Sequence, residues 1–164
     1  MPEPWWWILA LGAALAGIAI LLWRPARMAA REARLAQAKR HFHRQRERLE
    51  AKFIQLAAAG AKPDAPRWTD CDFDDAVAYV RNRATGELSA FVAVTVALDG
   101  LPDVSTSSAS DLIGNLRAGT AVFRFDRDHW ETDGRAILNL SPSEAIRFYQ
   151  NDLEVVGQEL AEQS

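Results

Sequence analysis

The sequence has very little cysteine: Cys71 is the only one among 164 residues. A single cysteine excludes an intrachain disulfide and any metal site built on paired cysteines, and it leaves the redox compartment open. Cys71 would act as a catalytic nucleophile only if a base met it in space. The only histidine beyond the first 60 residues is His129, so a nucleophilic role would require Cys71 and His129 to lie close together.

Charge is missing from residues 5–23, a run of 19 positions that begins with Trp5, Trp6 and Trp7 and ends with Trp23. A helix of that length is roughly 28 Å long, close to the hydrocarbon thickness of a bilayer. A secretory signal peptide is the alternative, but no basic residue precedes the run and no small-residue cleavage site follows it. Tryptophans at both ends are typical of the two membrane interfaces. We therefore predict a short tail at residues 1–4 and a single transmembrane helix at 5–23.

Basic residues are absent before this run and frequent after it. Within 20 residues of its end lie Arg24, Arg27, Arg31, Arg34, Lys39 and Arg40. Because basic flanks stay in the cytoplasm, we expect the N-terminus outside and the C-terminal domain in the cytoplasm, as in a single-pass bacterial inner-membrane protein. The same side chains are expected to attract anionic membrane lipids. Two small-residue pairs, Gly12 with Ala16 and Ala13 with Gly17, are compatible with a homodimer through the anchor and stalk.

Proline is absent from residues 26–59, which are rich in Ala, Arg, Glu, Gln and Leu, so we predict a basic helical stalk at 24–59 and a linker at 60–67. One apolar column repeats every seven residues: Met28, Leu35, Phe42, Leu49 and Leu56. The second heptad column is missing. The single stripe therefore fits a weak coiled coil, the surface of the chain's own domain, or lipid headgroups.

The two parts of the chain differ in charge. Residues 24–52 contain 10 Lys or Arg and 3 Glu, whereas residues 53–164 contain 9 basic and 18 acidic residues. Ten basic residues are enough to contact nucleic-acid phosphates, but topology and anionic lipid explain them better, so we do not expect nucleic acid as a partner.

Residues 68–164 have the pattern of an α+β domain. The clearest strand is 91–98, with alternating side chains on both faces. We predict that residues 76–83 form a hairpin with it through the turn at 84–87, although a helix over 73–84 is the alternative. A second antiparallel pair is predicted from 120–125 and 130–140, with Asp133-Gly134 as a bulge or turn.

The sequence Ser141-Pro142-Ser143-Glu144 predicts a helix start with a capping box. Apolar residues then recur at helical spacing: Ile146, Tyr149, Leu153, Val156 and Leu160. We therefore predict a small antiparallel sheet of about four strands closed by a C-terminal helix.

Side chains suited to chemistry occur mainly in one cluster: Asp126, Asp128, His129, Glu131 and Asp133. They could support acid–base catalysis or a metal, but hairpin turns collect Asp for local backbone reasons, and we favour a turn. Asp70, Asp72 and Asp74 have the spacing that opens an EF-hand loop, but its later Gly and Glu are missing. Residues 114–120 lack the lysine of a phosphate loop. The serines Ser105, Ser107, Ser108 and Ser110 have no nucleophile-elbow pattern.

These patterns favour a single-pass protein whose non-catalytic α+β domain binds another protein or acts as a scaffold, with no cofactor and no metal. One alternative is a small membrane-tethered hydrolase or metal-dependent enzyme with its site at residues 126–133. Another is an electrostatic tether that holds anionic lipid through the basic stalk.

Overall fold

The computed structural model describes residues 5–60, 67–99 and 116–160, with the side chains at 16, 18–27, 67, 69 and 99 left aside. The chain divides into two compact units, residues 1–40 and 41–164. One long helix, α1 (Trp5–Gly60), contributes to both units. The second unit also contains a six-stranded antiparallel sheet and a short helix. The predicted α+β class with a long helix and an antiparallel sheet is therefore confirmed at that level.

The predicted transmembrane helix is wrong. Among the residues that the structure describes, no helix is both long enough and apolar enough to cross a membrane. The run at 5–23 is helical, but α1 continues without a break through the basic stalk to Gly60. The predicted membrane localisation, with an outside N-terminus and a cytoplasmic domain, is overturned by this finding.

Within residues 41–164, the helical segment 41–60 covers one face of the sheet. Its buried apolar side chains are Phe42, Leu49 and Phe53, which recur at spacings of seven and four and so form one stripe. The ring of Phe42 contacts those of Tyr79 and Phe123, and the ring of Phe53 contacts that of Phe123. The sequence analysis left three partners open for the heptad column: a weak coiled coil, the chain's own domain, and lipid headgroups. At Phe42 and Leu49 the column packs against the chain's own domain.

The sheet begins with a long hairpin of β1 (Arg67–Asn82) and β2 (Leu88–Asp99). The predicted hairpin is therefore confirmed, and the helical alternative for 73–84 is wrong. The Asn82 side chain accepts hydrogen bonds from the amides of Ala84 and Thr85 and so shapes the turn. Gly86 follows with φ +75°, a conformation that glycine adopts without strain.

A bulge interrupts β1 between Phe73 and Val77. The backbone carbonyls of Asp74 and Asp75 within it accept hydrogen bonds from the guanidinium group of Arg46 on α1, at 3.0 Å for Asp75. Arg46 also donates to Glu50 at 2.7 Å. The bulge therefore exposes backbone carbonyl oxygens of β1, and their hydrogen bonds with Arg46 link α1 to β1.

Three strands follow: β3 (Leu116–Asp126), β4 (His129–Glu131) and β5 (Ala136–Leu138). Both short strands pair with β3, and Arg127 in the intervening turn has φ 53°. The predicted strand at 130–140 is thus two short strands separated near Gly134, which has φ +73°. A Cβ atom at Gly134 would lie 2.7 Å from Leu56 Cβ, so this turn packs tightly against α1.

The predicted C-terminal helix is correct at its start and wrong over most of its length. The helix α2 (Pro142–Phe148) begins with the predicted capping box, whose hydrogen bonds from Ser141 lower the pKa of the Glu144 carboxyl. After a turn in which the Tyr149 carbonyl accepts from two amides, residues Leu153–Glu159 form strand β6. The β-branched pair Val155-Val156 followed by Gly157 favours a strand over a helix. The sheet consequently has six strands instead of about four.

The strand order is β4-β3-β2-β1-β6, with β5 beside β3. The side chains of Tyr79, Val92 and Phe123 face α1 and are fully buried. On the opposite face α2 covers a smaller core, made of Ala78, Val80, Phe91 and Ala145 with Val122, Ile137, Leu140, Ile146 and Leu153 packed around it. The segment 41–60 of α1 therefore covers a face of the sheet, a role that the sequence analysis had predicted for a C-terminal helix.

Candidate functional site: a cationic groove between α1 and β4

The candidate cluster at residues 126–133 is spread along a hairpin. The carboxylate of Asp133 lies 3.5 Å from Arg124 and 3.3 Å from Arg135, which are ordinary surface ion pairs. Asp128 lies beside its neighbour His129, with 3.2 Å between its Oδ1 and the imidazole Nδ1. Over residues 5–60, 67–99 and 116–160, no group of three or more His, Cys, Asp or Glu side chains is arranged to hold a metal ion.

The hairpin instead places part of this cluster against α1. A groove of about 230 Å³ lies between the helix and β4, lined by Gln45, Arg48, Leu49, Lys52, His129, Trp130 and Glu131. Leu49 and Trp130 are buried and form its apolar floor. The Trp130 ring is fixed by the rings of Phe42 and Phe125, each with a centroid distance of 5.1 Å. The tight β3–β4 turn then brings His129 to the rim.

No known family model, curated protein or solved structure matches this chain.

The charge of the groove comes mainly from α1. Arg48 and Lys52 are four residues apart, are exposed, and therefore lie on the same side of the helix. Among the described contacts neither has an ion-pair or hydrogen-bond partner. Arg46, two residues earlier, is committed to Glu50 and to the β1 bulge. Neighbouring arginines thus have different roles, and the one that lines the groove keeps its guanidinium group available.

The β4 side of the groove combines a histidine with a carboxylate. His129 is about half exposed, and when its Nδ1 carries the proton it donates to Asp128 and leaves Nε2 as an acceptor. Glu131 is the one acidic residue among the lining residues. With two permanent cations, an apolar floor and one carboxylate, the groove is suited to a small group of net negative charge.

A second polar cluster joins residues that are far apart in the sequence. The Glu159 carboxylate on β6 accepts a hydrogen bond from the Tyr79 hydroxyl at 3.0 Å, and the same oxygen lies 2.7 Å from His43 Nε2. Burial, together with the charge and hydrogen bond of Glu159, raises the pKa of the Tyr79 phenol well above its ordinary value. This cluster connects α1, β1 and β6. Sequence reasoning missed it because it exists only when residues 153–159 form a strand.

The acidic residues around Cys71 do not form a binding loop. Asp70, Asp72 and Asp74 lie in β1, and the side chains of Asp70 and Asp74 accept from the nearby amides of Cys71 and Ala76. Burial, with a smaller effect from the charge of Asp70, raises the pKa of the Cys71 thiol. A raised pKa disfavours the thiolate, which is the nucleophilic form.

The residues predicted to contact lipid belong to residues 1–40, whereas the groove is built from residues 45–52 and 129–131. Trp5, Trp6 and Trp7 are exposed on α1, as are Arg31, Arg34 and Arg40, and Lys39 is half-buried. The side chains of Trp23, Arg24 and Arg27 lie outside the described residues, as do the tail at 1–4, residues 61–66 of the linker predicted at 60–67, and the serines at 105–110. The lipid-facing role of these tryptophans and basic residues stays a prediction.

Sequence reasoning found His129 and Glu131 but missed Gln45, Arg48 and Lys52. Arg48 and Lys52 were counted only among the ten basic residues of 24–52, which were attributed to topology and anionic lipid, and Gln45 was not considered as a site residue. A usable signal was their spacing, because Gln45 and Lys52 lie four and three residues from the buried Leu49, and Arg48 lies three residues from Gln45 and four from Lys52, so that the three side chains share one side of the helix.

Proposed function

We propose that this chain is a non-catalytic interaction protein whose groove between α1 and β4 binds a short acidic segment of a protein partner. The observation that carries the proposal is the pair Arg48 and Lys52, two cations without partners among the described contacts beside an apolar floor. Arginine and lysine form charge-assisted hydrogen bonds with carboxylates, and these are stronger than bonds between neutral groups. An Asp or Glu side chain of a partner would reach both.

The size of the groove supports a short segment. Its volume of about 230 Å³ is below the range of roughly 300–1,000 Å³ that is typical of small-molecule sites. One or two acidic side chains and an intervening apolar residue match this space. The apolar floor of Leu49 and Trp130 gives the intervening residue a surface to contact.

The charge around the groove supports a peptide over a long polyanion. Residues 41–164 contain 13 Lys or Arg and 20 Asp or Glu, so the unit as a whole is acidic. Such a surface repels a nucleic acid, whose binding grows with the number of phosphates neutralised. A local positive groove in an acidic unit selects a ligand whose negative charge is confined to a few residues.

The test uses the full-length chain and two synthetic peptides, Gly-Glu-Leu-Glu-Gly and its neutral counterpart Gly-Gln-Leu-Gln-Gly. We expect calorimetry to detect the acidic peptide only, and the double variant Arg48→Gln/Lys52→Gln to weaken binding at least tenfold. That factor follows from the roughly 1.5–3 kcal/mol of a hydrogen bond to a charged group. The matched control is Arg44→Gln, an exposed helix arginine that does not line the groove.

The control should change affinity less than twofold. Equal weakening by Arg44→Gln would mean that the peptide responds to the general charge of the helix, and the proposal would then fail. Equal binding of the neutral peptide would also contradict it.

A second candidate function is a small hydrolase, which one observation favours. Asp128 Oδ1 lies 3.2 Å from Nδ1 of His129, a residue that lines the groove, and in the tautomer that carries its proton on Nδ1 the other ring nitrogen is left as a general base. Turnover of p-nitrophenyl acetate by the full-length chain, lost in His129→Ala and retained in the control His41→Ala, would establish this function and rule out the non-catalytic one.

A further inference from the structure

The strand β6 forms an open edge of the sheet. In the part of the chain that the structure describes, β1 is its only neighbouring strand. Its seven residues extend over roughly 23 Å, and alternate backbone N–H and C=O groups along that length point away from β1. Proteins commonly protect such edges with Lys, Pro or a covering element, because an open edge pairs readily with another strand. The sequence LEVVGQE contains neither Lys nor Pro.

The register of β6 with β1 assigns its side chains to the two faces of the sheet. Glu154 and Glu159 are opposite Arg81 and Val77, so both carboxylates lie on the α1 face. Val155 is opposite Val80 and lies on the α2 face, where it is 43% exposed. The edge is therefore acidic on one face and apolar on the other.

One of the two carboxylates is already committed and the other is available. Glu159 is bound by Tyr79 and His43. Glu154 is exposed, and no ion pair joins it to Arg81 among the described contacts. The open edge thus offers a free carboxylate beside exposed backbone groups and an exposed valine.

We propose that β6 accepts an extended strand from a second protein, and that this strand alternates basic and apolar residues. Backbone hydrogen bonds along the edge supply affinity, as in other cases of strand addition. A Lys or Arg of the added strand lies beside Glu154 on the α1 face, and its apolar residues extend the surface that begins at Val155 on the α2 face.

The same charges disfavour a second copy of this chain as the occupant. Antiparallel pairing of two β6 strands brings the acidic start of one, at Asp152 and Glu154, beside Glu159 at the end of the other. Like charges on neighbouring strands are destabilising. This site is separate from the groove, since none of the groove-lining residues belongs to β6.

The test uses the full-length chain and two peptides of sequence Val-Lys-Val-Lys-Val-Lys-Val, one unmodified and one N-methylated at alternate residues. N-methylation removes backbone donors and keeps the charge. We expect the unmodified peptide to slow amide hydrogen exchange at residues 153–159 at least fivefold and the methylated peptide to have no effect there. Glu154→Lys should weaken binding at least fivefold, whereas Asp72→Lys, an exposed carboxylate of β1, should leave it unchanged.

Equal protection by the methylated peptide would mean that charge alone drives the association, and the proposal would be overturned. The same conclusion follows if Asp72→Lys weakens binding as much as Glu154→Lys. Protection of residues 153–159 that grows with protein concentration in the absence of peptide would assign the edge to a second copy and likewise refute the proposal.

Discussion

Replacement of Phe42 by alanine tests whether the stripe on α1 forms the centre of the domain. Phe42 is 1% exposed, and its ring contacts those of Tyr79, Phe123 and Trp130 at centroid distances of 6.1, 5.5 and 5.1 Å. Removing a buried phenylalanine ring typically costs about 3–5 kcal/mol, because apolar burial is lost and a cavity remains. The three edge-to-face contacts place Phe42 toward the upper part of this range.

We therefore expect Phe42→Ala to lower the free energy of unfolding by about 4 kcal/mol, a large share of the total of a small domain. Urea unfolding of the full-length chain, followed by near-ultraviolet circular dichroism, measures the change. If Phe42→Ala does not fold, Phe42→Leu keeps most of the volume and should cost less than about 1.5 kcal/mol.

The matched control is Met28→Ala, from the same heptad column but with a side chain that is 62% exposed. We expect this substitution to change the free energy of unfolding by less than about 0.5 kcal/mol. Equal losses at the two positions would refute the argument, since the column would then act as one continuous stripe. A loss below about 1 kcal/mol in Phe42→Ala would also refute it.

Two further predictions concern backbone space and titration. Gly134 and Gly86 have similar positive φ values of +73° and +75°, but a Cβ atom would contact α1 only at Gly134. Gly134→Ala should therefore lower the free energy of unfolding in urea by about 1–3 kcal/mol more than Gly86→Ala does. Equal losses in the two variants would contradict the close packing of the Gly134 turn against α1. The raised pKa of Tyr79 means that the unfolded state releases this proton first, so stability should fall as the pH rises above about 10. Tyr79→Phe should reduce this fall in stability at high pH, as measured by urea unfolding across that range, and an equal fall in the variant would contradict a raised pKa of Tyr79 in the folded protein.

The β1–β2 hairpin could be predicted from sequence because its signals are local. Residues 91–98 alternate cleanly, and Gly86 supplies the positive φ that the turn requires. The capping box at Ser141 and Glu144 is equally local and was found for the same reason. Each of these features is determined by side chains within a few residues of one another.

The C-terminal segment could not be assigned correctly from its periodicity. Leu153, Val156 and Leu160 fit a helix, yet residues 153–159 form β6. The open side of β1 offers backbone hydrogen bonds to these residues, and that tertiary partner outweighs a weak helical pattern that includes Gly157. The β-branched pair at 155–156 was the local signal that favoured a strand.

The candidate site was only half predictable. His129 and Glu131 were recognised because they belong to a visible cluster of titratable side chains. Arg48 and Lys52 were placed among the stalk's basic residues, since the side of a helix that packs against a distant hairpin depends on the complete fold. The membrane prediction is contradicted because, within residues 5–60, 67–99 and 116–160, no helix is both long enough and apolar enough to cross a membrane.

The pairing of β6 with β1 also determines the order in which the sheet is completed. This pairing joins residues about 70–80 positions apart, whereas β1 and β2 are joined by a short turn. Closing a long loop costs more chain entropy than closing a short one, so distant pairings form late in folding. The β1–β2 hairpin is therefore available early as a template, and the Tyr79 hydroxyl stays without Glu159 until the last strand arrives. During that interval β1 is itself the exposed edge, and this is when misassembly between unfinished chains is easiest.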